Sequence, residues 1–141
     1  MRALSKLEPP EALVCVMVLV AAADRGMTDR EIGVMAAQVQ GLPVFHEFTA
    51  ERLEAASDAA VRLLGEEDGL AHAARLVRAT LGPGLRETAY ALACEVAAAE
   101  AGTDQPETAR MLAWAREALE IDPLAAAAMA HGVRARYRVA G

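Results

Sequence analysis

The most constraining feature of this chain is the stretch ALVCVMVLVAAA at residues 12–23, twelve consecutive apolar residues. A helix that is apolar all round has no face to give to water and must be enclosed by other elements. Twelve residues are too few to cross a bilayer, which takes about 20. Arg2 and Lys6 ahead of the run and Ala21-Ala22-Ala23 at its end imitate a signal peptide. Glu8, Pro9, Pro10 and Glu11 interrupt the approach to it, however, and a similar run recurs near residue 90 with no targeting context. The stretch therefore reads as a core helix of a cytosolic protein.

Composition points to helices throughout. Of 141 residues 34 are alanine, the best helix former, whereas the residues that strands favour are scarce, with two Ile, six Thr, two Tyr and two Phe. The expected fold is all-α, a single domain over residues 1–141, long enough to bury a core without disulfides or a structural metal. The balance of 14 basic and 20 acidic residues, −6 overall, argues against non-specific nucleic-acid binding. Three of the basic residues, Arg134, Arg136 and Arg138, collect at the C-terminus, which leaves the body more acidic than the total. Cys15 and Cys94 lie inside apolar runs, where a small buried thiol is the usual role, and this suits a reducing cytosol.

Pro, Gly and capping residues divide the chain into about seven helices. Pro10 opens the first, which runs to about Ala23 and stops near Gly26. Thr28-Asp29-Arg30-Glu31 reads as a capping box for the second, ending at Gly41 and Pro43. The third follows Thr49 and stops at Gly65, with Leu53, Ala56, Ala60, Leu63 and Leu64 on one face. The fourth runs from near Asp68 to Gly82-Pro83-Gly84, and the fifth from about Leu85 to Ala99. Asp104 caps the sixth, with Pro106 in its first turn, and Pro123 restarts the chain for a last helix reaching Tyr137.

Shifting the chain against itself by 76 residues aligns residues 14–39 with 90–115, and eight of the 26 positions are identical. Alanine runs match cheaply in such a composition, so the informative part is the polar frame. It consists of an acid (Asp24 or Glu100), Gly two residues later, a cap residue (Thr28 or Asp104), and Glu seven residues after the first acid (Glu31 or Glu107). Each unit is an apolar helix ending in a carboxylate, a glycine turn, and a second helix beginning with another carboxylate. A pseudo-twofold arrangement of the two units would bring Asp24, Glu31, Glu100 and Glu107 into one region.

These acids differ in what explains them. Glu31 and Glu107 stand three residues after a cap, where a glutamate completes the capping box and complements the helix dipole, so a structural role accounts for them. Asp24 and Glu100 stand at a helix C-terminus, where the dipole disfavours a negative charge by about 0.3 to 1 kcal/mol. Their partner is then a cation, a positive side chain or a turn amide, with plain solvation as the alternative. For a cation, oxygen ligands favour hard ions such as Ca²⁺, Mg²⁺ or Mn²⁺. The turn lacks the alternating ligands and the twelve-residue span of an EF-hand.

The stretches AAADRGMTDREIGVM (21–35) and, more weakly, AAAEAGTDQPETARM (97–111) resemble the signature of the tellurite-resistance TerB family, and the likeness extends from Glu11 to Ile121. Arg25 stands where the family commonly has Gly, Glu100 replaces the second Asp, and Thr103 replaces a hydrophobic residue. The resemblance implies a bacterial bundle of about seven helices, acidic patches that bind metal ions, and a non-enzymatic role in tellurite or related stress. Related domains beside DnaJ-type modules imply an adaptor function.

His46, His72 and His131 form no Glu-x-x-His or His-Glu-x-x-His pattern, and neither a phosphate-binding glycine loop nor a Gly-x-Ser-x-Gly elbow is present. His46-Glu47 offers at most a lone ligand, and Trp114 reads as core. The expected function is a cytoplasmic stress-response binding or sensing module, with a weak divalent-cation site at Asp24, Glu31, Glu100 and Glu107. A protein partner is expected, and a homodimer is the assembly state considered. The alternative is a protein-interaction scaffold whose carboxylates only cap helices.

Overall fold

The first apolar run forms helix α1 (Pro9–Ala21), in which every residue from Ala12 to Ala21 is buried. This computed structural model describes residues 7–22, 29–99 and 106–140. The other helices are α2 (Asp29–Gly41), α3 (Ala50–Leu64), α4 (Gly69–Thr80), α5 (Pro83–Ala98), α6 (Pro106–Ala118) and α7 (Pro123–Arg136). A 3-10 turn, Pro43–Phe45, connects α2 to α3, and the described residues include no strand. The described residues form seven α-helices, in keeping with the all-α fold of about seven helices expected from the sequence.

A helix without a polar face needs neighbours on every side, and α1 has them. It packs along α3 and α5, with α4 and α6 on its remaining flanks and a smaller contact to α2. The second apolar run forms α5, whose buried stretch continues from Leu92 to Ala97 and which touches α1, α2, α6 and α7. The two runs thus lie against each other at the centre, α2 reaches across to α5, and α6 reaches across to α1. The buried side chains join into one core cluster, the mark of a single domain. No helix among the described residues is long and apolar enough to cross a membrane.

Local chemistry sets the helix ends. Proline occupies the first turn of α1, α5 and α7, where its fixed φ fits and its missing N–H costs nothing. For that reason α1 starts at Pro9 and α5 at Pro83, slightly ahead of the expected Pro10 and Leu85. Gly82-Pro83-Gly84 both ends one helix and begins the next. Thr49 Oγ1 accepts from Arg52 N at 3.1 Å, and Asp122 Oδ2 accepts from Leu124 N at 3.0 Å and Ala125 N at 3.1 Å. Asp68 precedes α4 but makes no side-chain cap bond, and its φ of 57° places it in the left-handed region. The caps expected of Thr28 and Asp104 lie outside the described residues. On α3 the expected face is inward, with Ala56, Ala60 and Leu63 buried and Leu53 and Leu64 packed half-buried beside them.

Arginines fasten the corner between α4, α5 and α6. Arg86 donates from Nε to Leu81 O at 2.8 Å and from Nη2 to Arg78 O at 2.9 Å, satisfying carbonyls at the end of α4. Its Nη1 reaches Glu120 Oε1 at 2.9 Å. Glu120 stands in the left-handed position, φ 56°, that closes α6 through bonds from Glu120 N to Glu117 O and Ile121 N to Arg116 O. That is a Schellman closure with a glutamate where glycine is usual. Arg78 Nη1 donates to Ala118 O at 3.2 Å across the same corner.

Candidate functional site

The two apolar helices lead into the turns that carry the candidate acids. Asp24 and Glu100 lie outside the described residues. Glu31 stands in the first turn of α2 and is buried, 5% exposed. Glu107, at the matching position of α6, is half-exposed and forms an ion pair with Arg110 at 3.8 Å, a surface contact of little energetic weight. The two positions that the repeat makes equivalent therefore sit in different environments. Among the described residues no three His, Cys, Asp or Glu side chains come together in a way that would hold a metal ion. A cation site at these corners thus depends on Asp24 and Glu100.

A further buried acid escaped the sequence reading. Glu95 lies in the middle of α5, 4% exposed, and bonds Arg136 Nη1 through Oε1. Its Oε2 accepts from Tyr137 Oη at 2.8 Å. Both partners come from the end of α7, so Glu95 pins that helix to α5. Burial raises the Tyr137 phenol above its usual pKa, and the bond to Glu95 adds to the rise. The positive charges of Arg136 and, more weakly, of Arg30 in the first turn of α2 act in the opposite direction. The available signal was a lone glutamate inside ALACEVA, opposite Leu19 in the repeat alignment.

Glu95→Ala is expected to destabilise the protein by about 2 to 3 kcal/mol, since it removes two hydrogen bonds to a buried carboxylate and leaves a void. Glu95→Leu should recover part of that loss, because an apolar side chain fills the space while the exposed Arg136 returns to water. Urea unfolding of the three proteins checks this. Equal midpoints for Glu95→Ala and the parent would show that the pairing contributes nothing.

A second, half-buried attachment joins α1 to α3. Glu11 Oε2 accepts from Arg52 Nε at 3.0 Å and Nη2 at 2.7 Å, and the guanidinium lies 4.6 Å from the centre of the Phe48 ring. Both cysteine thiols are buried, as the sequence suggested. Desolvation pushes Cys15 up to about 12 and Cys94 up to about 11, so both are protonated at neutral pH and poor nucleophiles. Of the histidines, His46 and His131 are exposed, whereas His72 Nδ1 lies 3.1 Å from Glu66 Oε1. Trp114 is half-buried at the edge of the core beside Arg78 and Glu117.

An open groove runs between α2 and α3, lined by Ile32, Met35, Ala36, Ala50 and Leu53, and Ile32 is 46% exposed at its edge. In comparisons with known proteins the chain matches no family model, no curated protein and no solved structure.

Proposed function

We propose that the chain is a non-catalytic binding module of the TerB-like kind, acting in bacterial stress in the cytoplasm, with a weak site for Ca²⁺, Mg²⁺ or Mn²⁺ at the corners carrying Asp24, Glu31, Glu100 and Glu107. The burial of Glu31 in the first turn of α2 carries this reading. A buried carboxylate is held by polar neighbours, and Glu31 is engaged within the protein, so it stands fixed at the start of α2. A hard cation bound there would share this fixed carboxylate with Asp24, seven residues earlier in the sequence.

Calorimetry with each ion tests the site. Heat of binding at millimolar metal is expected, and it should be lost in the Asp24→Asn/Glu100→Gln double variant. No heat with any of the three ions, or binding unchanged in the variant, overturns the cation site.

The second reading is a protein-interaction scaffold, favoured by the apolar groove between α2 and α3 and by the exposure of Ile32 at its edge. On that reading the carboxylates cap helices and metal leaves the protein unchanged.

A further inference from the structure

The helices α5, α6 and α7 do not close completely on one another. Alanines at facing positions, among them Ala97 on α5 and Ala130 on α7, leave a cleft of about 170 Å³ whose apolar lining is completed by Leu112 and Val133. A cavity of about 150 Å³ lined by apolar side chains holds a benzene ring. The cleft is therefore the size of one small ring or a short branched chain, too small for a long acyl tail.

Among the described residues the only charged side chain in its lining is positive. Arg134 contributes to the lining and is exposed, and among the described residues it forms no ion pair. Its neighbour in the last turn of α7, Arg136, is already engaged by Glu95, so of these two arginines Arg134 is the one without an ion pair among the described residues. Burial raises the Cys94 thiol in the lining, Arg134 pulls it down, and Glu95 pushes it up. Thr108 also lines the cleft, and among the described residues its hydroxyl makes no hydrogen bond. In a protein of net charge −6, this is a positively charged mouth on an apolar hole.

We infer that the cleft between α5, α6 and α7 binds a small monocarboxylate with a compact apolar body. The body lies among Ala97, Leu112, Ala130 and Val133, the carboxylate pairs with the Arg134 guanidinium, and the Thr108 hydroxyl is a second donor. Benzoate matches both the volume and the charge. The cleft lies beside the corner between α5 and α6, with Thr108 next to Glu107, and the binding inferred here calls for no cation at that corner.

The test is an NMR titration of the full chain with benzoate and with benzyl alcohol, its uncharged counterpart. Benzoate at millimolar concentration should shift the amide signals of Ala97, Thr108 and Val133. It should bind up to about fivefold more tightly than the alcohol, the worth of one solvent-exposed ion pair. Arg134→Gln, a substitution of an exposed side chain, should reduce benzoate to the level of the alcohol. Ala130→Leu should abolish both by filling the hole, with the helical circular dichroism of the parent retained. Absence of shifts at those amides, or equal benzoate affinity in the parent and Arg134→Gln, overturns the proposal even where Ala130→Leu does not fold.

Discussion

Leu19→Glu is expected to abolish the folded state. Leu19 is 0% exposed in a helix enclosed by α3, α4, α5 and α6, and the substitution places a carboxylate among apolar side chains. An unpaired charge in such a site costs several kcal/mol, and the lost leucine packing adds to it, against a total stability of about 5 to 15 kcal/mol for a typical domain. The repeat makes the experiment informative, because the equivalent residue of the second copy is a glutamate. Glu95 is tolerated in α5 because Arg136 and Tyr137 reach it. Leu19→Ala is the control that changes packing without charge, with an expected loss of about 3 to 5 kcal/mol. Circular dichroism and urea unfolding measure both. A folded Leu19→Glu protein with the parent's midpoint would mean that α1 is not enclosed at this position.

Gly69→Ala is the second large effect, and an unusual one for the removal of a glycine from a helix. Alanine is ordinarily the better helix former by about 1 kcal/mol, so propensity alone predicts stabilisation. At the start of α4, however, a Cβ on residue 69 would lie 1.8 Å from the Leu63 carbonyl oxygen and 2.9 Å from its carbon, both backbone atoms at the end of α3. Backbone cannot rotate aside as a side chain does, so the α3–α4 corner must open. The expected loss is about 3 kcal/mol or more. Gly84→Ala, where the added Cβ meets nothing within 4 Å, should be neutral or slightly stabilising. Thermal unfolding of the pair checks the argument, and a Gly69→Ala protein as stable as Gly84→Ala would refute it.

Much of the fold was legible because its causes are local. A segment with no polar residue can only be enclosed, so the run in α1 was readable as core, and α5, whose apolar run is broken by Glu95, was readable from its likeness to it. Prolines mark helix starts through their fixed φ and Thr49 through a bond to the amide three residues on, so their effect follows from spacing, whereas the Asp122 cap was seen only in the structure. The face of α3 followed from its 3.6-residue period. The candidate site was less legible. Spacing singled out Glu31 and Glu107 as equivalent, yet one is buried and the other pairs with Arg110 near solvent. Equivalence in a repeat fixes position along a helix, and the neighbouring helix decides the environment.

Long-range partners explain what the sequence left open. Glu95 finds Arg136 and Tyr137, 41 and 42 residues away, and Glu11 finds Arg52, 41 residues away. Nothing in the local pattern of any of these residues names the other. The arginine-rich end read as a cluster, whereas tertiary packing separates its roles, with Arg136 committed to a buried acid and Arg134 left beside an apolar cleft. By itself the sequence determined that this protein is a helical bundle built around two apolar helices, because period, capping and burial of an apolar run act within a few residues. The crowding at Gly69, the partner of Glu95 and the gap between α5, α6 and α7 were decided only by the tertiary structure, because each depends on distances between segments that the chain connects only through long intervening stretches.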